Sequence, residues 1–96
     1  MYIFTSGLVG NSIVDEYNCF VGLRVIRGRD WAWGDQDYQD GNPGYGTLLL
    51  CSTPNNKDWD NKGARVRWDN ALVKYLPYRI GYHEKYDLFV ANKTGK

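Results

Sequence analysis

Apolar and polar residues alternate most cleanly at Ala64-Arg65-Val66-Arg67-Trp68. Successive side chains of an extended chain point to opposite faces, so Ala64, Val66 and Trp68 are expected inward and Arg65 and Arg67 outward. Asp69-Asn70 follows, a pair that tolerates turn and left-handed backbone. Leu72-Val73-Lys74-Tyr75 then resumes as a strand, and the spacing predicts a β-hairpin over 64–75. Leu23-Arg24-Val25-Ile26-Arg27 predicts another strand, with Leu23 and Val25 on one face and Gly28 as its stop. Segment 46–51 is a near-continuous apolar run, the pattern of a central strand covered on both faces. Asp87-Leu88-Phe89-Val90 predicts the last strand, with Leu88 and Val90 inward. No window keeps a helical apolar period for three turns. Short strands separated by glycine-rich turns imply an all-β fold, a small and strongly bent barrel.

Two stretches break the pattern. Residues 30–45 carry Trp31, Trp33, Tyr38 and Tyr45 among glycines and Pro43. A long loop this aromatic is expected to fold over one barrel end or to display a binding surface. Residues 52–63 are polar and read as an exposed hairpin tip, with Trp59 their one large apolar side chain. Residues 1–20 have no clear period and read as an N-terminal extension, either a tail or, through Tyr2-Ile3-Phe4, an added strand. The barrel is expected over 21–91, with a frayed tail at 92–96.

Composition narrows the function. Ninety-six residues suit one domain and one modest core. A formal net charge of +1 argues against a dedicated nucleic-acid surface. The 16% aromatic content argues against disorder. With Cys19, Cys51 and His83 the only thiols and imidazole, a zinc site lacks its set of about four ligands. A Cys19–Cys51 disulfide is conceivable, but isolated cysteines without a signal peptide are expected to be reduced, buried thiols. No apolar run reaches the ~20 residues of a membrane-spanning helix. The expectation is an intracellular, cytoplasmic domain without membrane insertion, metal or cofactor.

From Gly22 the sequence becomes specific. Gly22-Leu23-Arg24-Val25-Ile26-Arg27-Gly28-Arg29-Asp30-Trp31-Ala32-Trp33-Gly34-Asp35-Gln36-Asp37 resembles the opening of the Mib–Herc domain, a family named for mind bomb and a HECT-type ubiquitin ligase. Gly44-Tyr45-Gly46-Thr47-Leu48, Val66-Arg67-Trp68-Asp69-Asn70, Tyr78-Arg79-Ile80-Gly81 and Lys85-Tyr86-Asp87-Leu88 continue the family pattern in order. Ala71 stands where the family usually has glycine, and Tyr38 and Gln39 where it often has glycines. The resemblance implies an SH3-like barrel of about five short strands. It also implies a non-catalytic recognition module of large ubiquitin ligases, beside neighbouring domains, of the kind with which mind bomb grips cytoplasmic tails of Notch ligands. Arg27, Gly28, Asp30, Trp31, Gln36, Asp37, Trp68, Asp69, Arg79, Tyr86 and Asp87 are the motif residues it marks as structural.

The remaining candidates are contact residues. Trp31 reads as a plug of the barrel end, and Trp33 suits a plug or a peptide platform equally. Trp33, Tyr38, Tyr45 and Tyr78 could line a groove for a linear peptide, and a partner strand could instead pair with an open sheet edge. Arg65 and Arg67 form a positive stripe able to meet an acidic peptide or a phosphate, or to lie solvated against aspartates. Asp30, Asp35, Gln36 and Asp37 lack calcium-loop spacing and are expected to cap backbone N–H groups. Arg79 is expected to stack on an aromatic ring and tie the last turn to the loop. No histidine or nucleophile accompanies the carboxylates, so no catalytic site is expected. The rival functions are an aromatic cage for a modified lysine, a stacking surface for single-stranded nucleic acid, and a purely architectural domain.

Overall fold

The computed structural model describes residues 12–51, 57–70 and 75–91. Its strands are β1 Arg24–Arg27, β2 Tyr38–Gln39, β3 Asn42–Pro43, β4 Gly46–Leu50, β5 Gly63–Trp68, β6 Leu76–Arg79 and β7 Leu88–Val90. The fold is all-β, with only two short 3-10 turns, Asp58–Asn61 and Tyr82–Glu84, among the described residues. Five strands form one antiparallel sheet in the order β6-β5-β4-β1-β7, and β2 and β3 form a separate hairpin.

The alternation of β5 sets the core. Ala64, Val66 and Trp68 are buried together with Val25, Leu48, Tyr78, Ile80 and Leu88. The central place of β4 follows from its apolar run, but only one of its faces is fully covered. Gly46 and Leu48 are buried, Thr47 and Leu49 half-buried and Leu50 exposed. Gly46 is required by packing, since a Cβ there would lie 2.6 Å from Val66 and 2.7 Å from Trp68.

Four expectations need correction. The strand returning from β5 is β6, pairing from Val66↔Leu76 to Gly63↔Arg79. Tyr75 is a bend, and 71–74 lie outside the described residues. The inward alternation of Leu76, Tyr78 and Ile80 is interrupted on paper by Pro77, which an edge strand tolerates because its outer N–H is not needed. The 30–45 loop contains the β2–β3 hairpin, whose turn residues Asp40 and Gly41 have φ of 56° and 83°. Asp-Gly is the pair that a tight turn with two left-handed residues favours. The exposed-tip reading of 52–63 fails at its end, where Trp59 is half-buried and donates from Nε1 to the Pro77 carbonyl.

The fourth correction concerns the cysteines. Cys19 and Cys51 form a disulfide, with Cα atoms 6.1 Å apart. Residues 12–19 fold back along the sheet, which no local pattern announces. Ile13 bridges to Phe89, the Val14 N–H donates to the Leu88 carbonyl, and the Val90 N–H donates to the Ser12 carbonyl. Val14 is buried in the core. Asp15 and Asn18 turn the chain after it: the Asp15 carboxylate accepts from the Tyr17 and Asn18 N–H groups, and the Asn18 amide donates to the Ile13 carbonyl. Tyr2-Ile3-Phe4 lies outside the described residues.

At the other sheet edge, Ile80 bridges to Tyr86, and the Asp87 N–H donates to the Arg79 carbonyl at 2.9 Å. This contact curls β6 toward the entry of β7. It is compatible with an SH3-like barrel, but the bridge lies past the end of β6 and before β7 and does not close the sheet.

Candidate binding surface

Seven aromatic rings among the described residues pack around one another and around Arg27 and Arg79. Arg27 lies between Tyr38 and Trp31, with its guanidinium carbon 5.5 Å and 5.1 Å from their ring centres. Trp31 stacks on Tyr78 at 5.3 Å and meets Trp68 edge-on at 5.6 Å. Trp33 meets Tyr78 edge-on, and Arg79 lies over both Trp33 and Trp59. Trp59 continues to Tyr82, which stacks on His83. Each guanidinium over a ring face gains roughly 0.5–2 kcal/mol, depending on how dry the site is.

Two buried carboxylates hold this stack. Asp37 receives both Nε and Nη2 of Arg27, at 2.8 and 2.7 Å. Asp87, fully buried, accepts from the Arg79 backbone N–H, Arg79 Nε, Arg79 Nη2 and Trp33 Nε1 at 2.8–3.0 Å. Arg79 also reaches the Asp30 carbonyl, while the Asp30 carboxylate accepts the Tyr86 N–H. That bond holds the Asp30 carboxyl below the usual range. Trp68 Nε1 donates to the Tyr78 hydroxyl, which donates to Gln36 Oε1 at 2.6 Å. Burial, with the Asp37 and Asp87 charges nearby, pushes the Tyr78 phenol up to about 12. Gly28 permits the closest approach, since a Cβ there would meet the Leu88 backbone nitrogen at 2.5 Å.

The outer face of the sheet is different. Arg24 pairs across the ladder with Thr47, and Thr47 with Arg67, so three side chains form a row over β1, β4 and β5. Arg24 bonds both oxygens of Asp69, at 2.8 and 2.6 Å, and Thr47 Oγ1 at 2.9 Å. The Arg24 hydrogen bonds hold the Asp69 carboxyl below its ordinary range. Tyr45, 52% exposed, packs under the Arg24 guanidinium at 5.7 Å. Thr47, Leu49, Arg67, Trp68 and Asp69 line an open cleft of about 260 Å³. Among the described residues Arg67 makes no ion pair, whereas Arg65 is held bidentately by Asp58, whose carboxyl Arg65 pulls below the usual range.

The sequence-predicted contact residues therefore separate. Tyr45 and Arg67 share the outer face. Tyr38 is exposed but lies over Arg27. Trp33 is half-buried with its indole N–H bonded, and Tyr78 is 1% exposed. Tyr78 thus lies beneath the surface, while Trp33 stays partly exposed. Asn70 ties these regions together, donating to the Gln36 and Tyr38 carbonyls, while the Asp69 N–H donates to the Tyr45 carbonyl. Sequence reasoning passed over Arg24, Thr47 and Leu49. The signal was present, because Arg24 alternates with buried Val25 and both Thr47 and Leu49 alternate with buried Leu48. Among the described residues no group of three or more His, Cys, Asp and Glu side chains is arranged to hold a metal.

A small all-β domain whose arginines, tryptophans and buried aspartates lock its own loop is what these contacts define. Residues 22–92 match the Mib_herc2 family model, and the chain belongs to that family. It is similar to the E3 ubiquitin-protein ligase MIB2 of Gallus gallus, 37% identical over 70 residues, which are 73% of this chain and 7% of that protein. It is also similar to the E3 ubiquitin-protein ligase HERC2 of Homo sapiens, 39% identical over 71 residues, 74% of this chain and 1% of that protein. The human putative HERC2-like protein 3 is 38% identical over 71 residues, which are 5% of its length. The chain thus spans a small fraction of the curated relatives it matches. No helix among the described residues is long and apolar enough to cross a membrane.

Proposed function

We propose that this domain is a non-catalytic recognition module that holds a flexible, acidic peptide segment on the outer face of its sheet. It would serve a larger ubiquitin ligase whose transfer chemistry sits in other domains. The observation that carries this reading is the cleft bordered by Arg67, Leu49 and Thr47, with Tyr45 and the Arg24–Asp69 pair at its rim. Arg67 offers a charge to a carboxylate, Leu49 a small apolar floor, and Tyr45 a ring edge. With the Cys19–Cys51 bond formed, β7 is engaged by residues 12–14 and the end of β6 by residues 86–87, which in that state favours the cleft over edge pairing. The ligase relatives support an intracellular, cytoplasmic site of action.

The modified-lysine reading is disfavoured, because Trp31 and Trp33 already carry the domain's own Arg27 and Arg79 on their faces. The test is selection of ligands from a library of disordered cytoplasmic peptides. Binding of acidic peptides at micromolar strength, about −8 kcal/mol, is the expected result. Arg67→Glu and Tyr45→Ala should abolish it with melting unchanged. Selected peptides that bind both variants as well as the parent domain would overturn the assignment of this face.

A further inference from the structure

The segment that covers the edge of β7 lies before the matched family region 22–92, so that region alone leaves the edge bare. The cover is a short strand in all but length. The Val14 N–H donates to the Leu88 carbonyl at 2.9 Å, and the Val90 N–H donates to the Ser12 carbonyl at 2.8 Å. Between them Ile13 bridges Phe89, and Val14 enters the core with no exposure. These are the two components of strand addition: main-chain pairing for affinity, and a pocket for alternate side chains for selection. The chain is its own ligand here.

The attachment is asymmetric. Among the described residues, the edge contact on the N-terminal side of Val14 comprises the Ile13 bridge and the Ser12 carbonyl. On the C-terminal side the chain turns through Asp15–Asn18 and is fixed by the Cys19–Cys51 bond to the end of β4. A short segment held by few hydrogen bonds opens at lower free energy than the sheet beneath. The disulfide holds the return of the arm against that opening.

We propose that the outer edge of β7 is a strand-binding site for an extended segment with a β-branched residue at the Val14 position, occupied in cis by residues 12–14 and unlatched by reduction of Cys19–Cys51. The reductant is a dithiol. Its thiolate attacks one cysteine sulfur and breaks the S–S bond, forming a mixed disulfide. Its second thiolate then displaces the cysteine thiolate, which takes up a proton. Two electrons and two protons pass to the chain, giving two thiols and leaving the reductant as its own disulfide. A reducing compartment would thus open the edge, and an oxidising one would close it. This proposal uses a different surface from the Arg67 cleft, and each can fail alone.

The test uses the full chain, oxidised or reduced with dithiothreitol, and a fluorescent peptide copying residues 12–18, which contains no cysteine. The expected result is binding to the reduced chain at least about tenfold tighter than to the oxidised one. It should be lost when the peptide valine is replaced by aspartate. Amide exchange at Val14 and Val90 should accelerate on reduction at least about tenfold more than at Leu48, whose bond to the Leu23 carbonyl reports only the loss of global stability. A Val14→Asp chain should bind the peptide without reductant; if that variant does not fold, the reduction experiment decides alone. Equal peptide binding in both redox states overturns the proposal, as does absence of binding. So does exchange that rises equally at Leu48 and Val14, which would make the bond a support of the whole sheet.

Discussion

The loop side and the outer sheet face are built from the same residue types with opposite results. On the loop side Arg27 and Arg79 meet buried Asp37 and Asp87 and lie between rings, so little of their bonding capacity is left over. On the outer face Arg24 and Asp69 pair with side chains 43% and 37% exposed, and Arg67 faces open cleft. The difference teaches that a Trp or Arg in a family word is no guide to contact with a partner. What separates the regions is whether a buried carboxylate stands behind the arginine. Where it does, charge, stacking and backbone bonds are spent inside the domain, and where it does not, they remain available.

The sharpest way to break that comparison is Asp87→Asn. The amide keeps the shape but leaves the Arg79 guanidinium without its counter-charge, and its NH2 group cannot accept. Removing one partner of a buried ion pair costs about 3–5 kcal/mol. Urea unfolding should report a loss of that size, with Trp33 fluorescence shifted as its indole partner changes. A loss under about 1 kcal/mol would mean the network is ornament on a fold that the apolar core already holds.

Much of this was legible in the chain. The alternation of 64–68 assigned the inner and outer faces of β5, and the apolar run of 46–51 identified the central strand. The Arg-Gly-x-Asp-Trp and Tyr-Arg-x-Gly words hold Arg27, Trp31 and Arg79, and the family pattern marked Asp37 and Asp87, but Trp33 read equally as a partner contact. Their pairing was not legible, because Arg27–Asp37 and Arg79–Asp87 are set by how the loop and the last strand meet in space. Pro77 hid β6, since a proline inside a strand reads as its end unless the strand is known to be an edge. The arm at 12–19 was silent for the same reason as the disulfide: Val14 reaches the core and Cys19 reaches Cys51 only after a reversal carried by Asp15 and Asn18.

The disulfide is the next largest effect. Joining residues separated by 32 positions removes freedom from the unfolded chain, for which the loop-entropy estimate is roughly 3–4 kcal/mol. Cys19→Ser with Cys51→Ser should lower the stability accordingly, with the urea slope rising as the freed unfolded chain exposes more surface. Little or no change would place the bond outside the stability of the sheet.

Smaller again is an alkaline limb. The Tyr78 phenol stands at about 12 in the fold against an ordinary 10.0. The fold therefore prefers the protonated form. Its stabilisation is complete below pH 10 and is lost as pH rises through about 12, because the unfolded chain releases that proton first. The loss approaches ~3 kcal/mol at ~1.4 kcal/mol per unit. Tyr78→Phe should flatten the stability curve between pH 10 and 12, whatever it costs at neutral pH. A curve with the same slope in both proteins would assign the alkaline loss to lysines and other tyrosines.

The smallest stability effect belongs to the outer face, and there the smallness is the point. Arg67→Ala removes a side chain that makes no ion pair among the described residues, so stability should move by less than about 0.5 kcal/mol. Arg24→Ala breaks an exposed pair that contributes about 0–1 kcal/mol. If the face binds an acidic peptide, both changes should weaken binding about tenfold, the worth of one charge-assisted contact. Titration gives an independent signature. Arg24 holds the Asp69 carboxyl below its ordinary range, so the rim stays ionised as pH falls through about 4, where a free peptide's own carboxylates take up protons. Binding should therefore fade with protonation of the peptide while the Arg24–Asp69 pair persists. Affinity that is flat across that range, or variants that unfold the domain, would return Arg67 and Arg24 to the same structural role as Arg27 and Arg79.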